Sequence, residues 1–177
     1  MDAITVIRSQ LRDAHGFLEA TMQDASPELA HWPPPGTANP LGATYAHIIT
    51  SEDMLVQGLL RHSAPLFATT WAGKTGISEP MPMPGPEWEH YGAWARRVRI
   101  DLGALRGYAQ AVYATTDTYL ATLMPEALGQ ALDLSALGMG QVPLAWVFSR
   151  LLIGHVDNIC GEIACLKGIQ GFRGYPF

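Results

Sequence analysis

Apolar residues recur along this chain at intervals of three and four, the spacing of helices that bury one face. Ile4, Ile7, Leu11, Ala14, Leu18 and Met22 make the first such stripe, and Ser26-Pro27 ends it. His31-Trp32-Pro33-Pro34-Pro35-Gly36 follows as a loop, because prolines cannot donate within a helix or a central strand. Asn39-Pro40 then reads as an N-cap with proline at the first helical position of a second helix that runs to about Arg61. Ser63 to Pro86, with five prolines and three glycines, keeps no period and is expected to be a long loop. Pro86-Glu87-Trp88-Glu89 starts a third helix, whose stripe runs through Val98, Leu102, Leu105, Ala109, Val112, Thr116, Tyr119 and Leu123 to Met124. Pro125 closes that helix. Gly129 to Gln141 is a connector whose leucines plug the bundle end, with no strand expected, and Pro143 begins the last helix.

On a 3.6-residue helix, Leu144, Phe148, Leu151, His155, Ile159, Glu162, Leu166 and Ile169 share one face, apolar at both ends and polar in the middle. A second apolar row, Leu152, Val156, Ile159 and Ile163, leaves Arg150, Asp157, Cys160, Ala164 and Lys167 as the outward positions. Gly168, Gly171 and Gly174 stop the helix. The whole of residues 1–177 thus reads as one all-α domain, a four-helix bundle. A loop of this length lets helices 2 and 3 run parallel through a crossover, in up-down-down-up order.

Composition narrows the function. Hydrophobic residues make up 48% and charged residues only 15%, a balance that predicts surface hidden in a homodimer. A net charge of −5, with Arg96, Arg97 and Arg99 as the single short basic cluster, leaves no broad cationic surface for nucleic acid. Those arginines are expected on the wet face of helix 3. No apolar run is long enough to span a membrane, and the start lacks a secretory pattern. The two cysteines, Cys160 and Cys165, are poorly spaced for a disulfide and suit a reducing compartment, so a cytoplasmic location is expected.

His47 on the second helix and His155 on the fourth are placed to meet inside such a bundle, where metal and ligand sites are built. Small neighbours, Ala43, Thr44, Thr50 and Ser51, leave room beside the His47 ring. His15, His31, His62 and His90 are expected to be solvated, and the five tryptophans to pack, with Trp71 available to line a pocket mouth.

The Pro-rich loop with Trp32, then Asn39-Pro40-Leu41-Gly42-Ala43-Thr44-Tyr45-Ala46-His47 and Glu52, resembles the second helix of the DinB superfamily. His155-Val156-Asp157-Asn158-Ile159-Cys160-Gly161-Glu162-Ile163, with the glycines after it, resembles that family's last helix. Relatives in the superfamily include thiol-dependent S-transferases and the mycothiol-dependent maleylpyruvate isomerase. The resemblance implies a four-helix fold with a three-histidine metal site holding zinc or nickel, and His47 and His155 match two of its ligands. The third falls on Ile159, or on Asn158 if the alignment moves by one residue. Glu162, one turn on, is the candidate to replace it in a two-histidine, one-carboxylate set.

Three readings follow. His47, His155 and Glu162 bind a divalent metal that orients a thiol or water for transfer or isomerisation. Alternatively, the metal is lost and the cluster is a hydrogen-bonded polar core beneath a small-molecule pocket. In the third, a non-catalytic dimeric bundle uses its polar centre to fix helix register.

Overall fold

Asp2 opens the first helix by accepting the Thr5 backbone N–H at 2.8 Å. In the computed structural model, which describes residues 2–177, helix α1 spans Ala3–Met22 and buries Ile4, Leu11, Ala14, Leu18 and Met22 as its stripe requires. Ser26 caps a short helix α2 (Pro27–His31), with its hydroxyl accepting from Leu29 N. Helix α3 (Leu41–Asp53) continues directly into a wider π-helical segment, Met54–Leu60. Pro40 occupies the capping position of α3 and Asn39 makes no capping bond, so this helix starts one residue later than the sequence suggests.

The loop after α3 is ordered against the bundle. Asp53 accepts the backbone N–H groups of Leu66 and Phe67 at 3.0 Å each, and Ile77 forms an antiparallel bridge with Ile100. That bridge corrects the expectation of one continuous third helix. A short turn, Pro86–His90, leads into α4 (Tyr91–Arg97); the chain then extends and restarts as α5 (Leu102–Ala121). Two causes coincide at the break. Val98 and Ile100 are β-branched and favour extended backbone, and Asp101 caps α5 by accepting from Gly103 N and Ala104 N at 2.9 and 3.1 Å.

The connector also departs from expectation. Strands β1 (Ala131–Asp133) and β2 (Gln141–Pro143) pair antiparallel, with Leu132 opposite Val142. Leu134 beside them is the residue that plugs the core, whereas Leu137 is exposed.

The last helix runs from α6 (Leu144–Trp146) through a second π-helical segment, Val147–Ile153, into α7 (Gly154–Ile169). A segment with more than 3.6 residues per turn moves the buried row around the helix. Leu152, Val156, Cys160, Ile163, Ala164 and Lys167 are therefore buried, while Glu162 and Ile169 are exposed. Three positions expected to face outward, Cys160, Ala164 and Lys167, point inward instead. Lys167 is 2% exposed and donates to Thr21 O at 2.7 Å and to the Asp24 carboxylate. Arg150 and Asp157 are exposed as expected.

Contacts between the long helices fix their directions. On α1 and α3, His15 meets Glu52 and Glu19 meets Tyr45, an antiparallel pairing. Gly42 lies against Ile100 and Asp53 against Tyr108, so α3 and α5 run parallel. Thr21 touches both Cys160 and Lys167, and Ala14 lies near Ile153, so α1 and α7 are parallel too. The result is an up-down-down-up four-helix bundle with the crossover between its second and third long helices.

Candidate functional site

His47 projects from the middle of α3 and His155 from the second residue of α7, just past the second π-helical segment. Their Nε2 atoms are 3.3 Å apart, and the rings meet edge to face with centroids 5.2 Å apart. Ser51, one turn along α3, places its Oγ 3.4 Å from His47 Nδ1. Two proton arrangements satisfy this chain. Either Ser51 O–H points at His47 Nδ1 and His47 Nε2–H donates to His155, or His155 Nε2–H donates to His47 and His47 Nδ1–H points at Ser51.

Aromatic rings cover the pair. Trp88 and Tyr91 stack on each other at 4.5 Å, and their centroids lie 5.6 and 5.4 Å from the His47 ring. Burial under this cover, with the neighbouring His155 adding to it, pushes the His47 pKa down to about 4. Burial also lowers that of His155. Both imidazoles are thus neutral at pH 7, the form that accepts protons and binds metals.

The donor set ends there. Among the described residues there is no group of three or more His, Cys, Asp or Glu placed to hold a metal ion. Glu162, the candidate third ligand, is exposed on α7, although partial burial still raises its carboxyl pKa. It faces Tyr91, whose phenol pKa is raised by burial first and by the Glu162 charge second. Ile159, where the resemblance calls for a histidine, is 7% exposed and packs in the core. A metal at His47 and His155 would have to complete its coordination with water or substrate, so the residues present do not fit a three-ligand centre.

A second polar cluster is built around His15, Glu52 and Asp53. His15, expected in solvent, is 7% exposed; its Nε2 lies 2.7 Å from Glu52 Oε2 and its ring stacks on Tyr113 at 3.7 Å. The signal was present: Leu11, His15, Leu18 and Met22 keep a spacing of four, three and four, which puts His15 on the buried stripe. Next to Glu52, Asp53 accepts from the Tyr108 hydroxyl at 2.6 Å as well as from the loop. His31 is also structural. It accepts from Ile100 N at 2.9 Å through Nε2, so its Nδ1–H donates to Pro27 O at 2.7 Å. The arginine cluster ties loops down: Arg96 donates to Gly36 O and Ala38 O, and Arg97 pairs with Glu79. Trp71 packs over Gly107 and Tyr108.

An antiparallel and parallel arrangement of four long helices, with one imidazole from the second and one from the fourth meeting under aromatic rings, defines a helical bundle with an internal two-histidine site. The family model of the DinB superfamily matches residues 10–156, and the chain belongs to that superfamily. The fold is shared with a structure described as the crystal structure of the conserved protein of a locus from Enterococcus faecalis. It is 21% identical, with a TM-score of 0.78 over 97% of this chain and 99% of that one. No curated protein matches. Among the described residues no helix is long and apolar enough to cross a membrane.

Proposed function

We propose that this chain is a small-molecule-binding member of the DinB superfamily whose His47 and His155 work as a neutral imidazole pair, having lost the metal centre of its relatives. The observation that carries this reading is the 3.3 Å Nε2–Nε2 contact, beside which no His, Cys, Asp or Glu among the described residues completes a group of three. Such a pair can accept a proton at one ring and pass one at the other while the aromatic cover keeps bulk water away. A ligand hydroxyl, thiol or carbonyl is the natural partner for it.

A metal-dependent thiol transfer or isomerisation is the second reading, favoured by the neutral state of both rings, which leaves them ready as ligands. Elemental analysis of protein purified without a histidine tag, followed by zinc and nickel titration calorimetry, decides between the two. The first reading expects far less than one metal per chain and weak binding of either ion. One tightly held metal per chain overturns it. Ile159→His is expected to raise zinc affinity at least tenfold by restoring the third ligand.

The same proposal places the protein in the cytoplasm as a homodimer. Ile169, Phe172 and Phe177, 58%, 50% and 80% exposed, give the end of the last helix an apolar surface for a second copy. Light scattering after size exclusion that returns a monomer at micromolar concentration would contradict the dimer.

A further inference from the structure

His15 lines a small cavity that the imidazole pair does not share. The cavity, about 150 Å³, lies between α1 and α5 and is walled by Arg8, Leu11, Arg12, His15, Tyr113 and Asp117. It has room for a small ion and its waters, and neither His47 nor His155 lines it.

The His15 ring is fixed from two sides. Its Nε2 lies 2.7 Å from Glu52 Oε2, and its face stacks on Tyr113 at 3.7 Å with 18° between the planes. Glu52 is 2% exposed and its other oxygen is sealed without a hydrogen-bond partner, so the His15 ring is the one group bonded to this carboxylate. The second ring nitrogen differs. His15 Nδ1 has no hydrogen-bond partner among the described residues and, unlike Glu52 Oε1, is not sealed by the packing around it. A buried carboxylate that holds one nitrogen of an imidazole makes the other nitrogen the place where a proton enters and leaves.

The groups around the cavity mouth select the sign of a ligand. Arg8 donates from Nε and Nη2 to the two Asp117 oxygens at 2.8 Å each, which occupies that carboxylate. Arg12 comes only to 3.8 Å from Asp117, outside hydrogen-bond reach, so its guanidinium is free. The Tyr113 hydroxyl already donates to Glu19. Two guanidinium groups thus face one carboxylate, and the open positions are the Arg12 fork and His15 Nδ1. A cation would find only the Nδ1 lone pair, beside two arginines that repel it. A neutral molecule would leave the excess positive charge unanswered. An oxyanion can accept from the planar Arg12 fork and, if one proton accompanies it, from Nδ1–H as well.

We propose that this cavity binds a small oxyanion, a carboxylate or phosphate group, together with one proton: Arg12 holds the anion, and His15 Nδ1 takes the proton and donates it in a hydrogen bond to the anion. The charged and titratable groups facing His15 are Arg8 and Arg12 on α1, Glu52 on α3, and Tyr113 and Asp117 on α5. Their mutual hydrogen bond raises the Arg8 pKa and lowers that of Asp117, and burial raises Tyr113, so these three keep their charge through neutral pH. The site draws on α1, α3 and α5, so the metal analyses of His47 and His155 can succeed or fail without touching it.

Histidine ring ¹⁵N resonances of the tag-free protein test the proposal, with acetate, inorganic phosphate and methylammonium titrated separately at constant ionic strength, because exposed charges are screened by salt. At pH 6.0 the anions are expected to shift the His15 ring saturably, while His62 and His90, exposed and outside the cavity, stay still. Methylammonium should bind at least tenfold more weakly. Acetate keeps its charge between pH 6.0 and 8.0, and its affinity should fall at least threefold across that range as the imidazole gives up its proton. Arg12→Gln, at a side chain 69% exposed, should weaken acetate about threefold to fivefold. A saturable response to one of the two anions alone upholds the proposal and tells carboxylate from phosphate. It is overturned if neither anion shifts His15 saturably, if His62 and His90 shift equally, if methylammonium matches acetate, or if acetate affinity is the same at both pH values or in Arg12→Gln. The wild-type titrations decide the matter even if that variant fails to fold.

Discussion

Lowering the pH should remove stability from this protein through His47, and the size of the loss can be worked out. An ordinary imidazole has a pKa of 6.5, whereas in the fold burial beside His155 holds His47 at about 4. Between those values the unfolded chain binds a proton that the folded chain refuses, so acid favours unfolding. The stability is fully present above pH 6.5, falls as the pH drops, and has gone once the pH passes about 4. At about 1.4 kcal/mol for each pH unit, the whole window is worth at most about 3.5 kcal/mol. His47 is half-buried rather than sealed, so about 1 to 3 kcal/mol is the expected range. His155 shifts the same way and Glu162 the opposite way, so the test must isolate one ring. His47→Asn does this, because asparagine keeps a hydrogen-bonding amide and does not titrate. Urea unfolding followed by circular dichroism at pH 7.5, 6.5, 5.5 and 4.5, with chelator present, gives the difference between wild type and variant. That difference should shrink by 1 kcal/mol or more from the top of the series to the bottom. Parallel pH profiles for the two proteins would refute a buried, neutral His47.

Gly76→Ala should cost more than about 2 kcal/mol in the same assay, because Gly76 has φ +79° and an added Cβ would lie 2.5 Å from Asp101 O and 2.8 Å from Leu105 N. Asp53→Ala removes the acceptor of Leu66 N, Phe67 N and the Tyr108 hydroxyl, and should lower stability by about 2 to 4 kcal/mol. Hydrogen exchange at the Leu66 and Phe67 amides should quicken in that variant, and unchanged protection would show that the loop does not depend on the carboxylate. Lys167→Met preserves the stem and deletes the charge, leaving Thr21 O and Asp24 unpaired, for an expected loss of about 1 to 3 kcal/mol. A Met variant as stable as wild type would mean that this pair, in which only the lysine is buried, contributes no net stability.

Much of the architecture is legible in the pattern of apolar residues. The stripe of α1, the second helix from the Asn39-Pro40 region onward, the long loop and the glycines that end the last helix all follow from local rules, because amphipathic periodicity and proline act within a few residues. His47 and His155 could be named for the same reason, each lying near the middle of a long helix of the bundle. His15 is legible on its stripe as well, because the spacing of Leu11, Leu18 and Met22 around it points to the core.

What the sequence could not determine depends on groups far apart in the chain. The break between α4 and α5 has local signals in Val98, Ile100 and the Asp101 cap, but its extended residues are held by Ile77 reaching across to Ile100, and the face of α7 is set by a π-helical segment that a constant 3.6-residue step misplaces. Lys167 is buried because Thr21 O and Asp24 await it on α1. The sequence by itself determined which helices exist and that two histidines could face each other. Only the tertiary structure decided that the two rings meet with Glu162 turned to the exposed side of α7 beside Tyr91 and Ile159 in the core, since the convergence of donors from separate helices depends on their register and rotation.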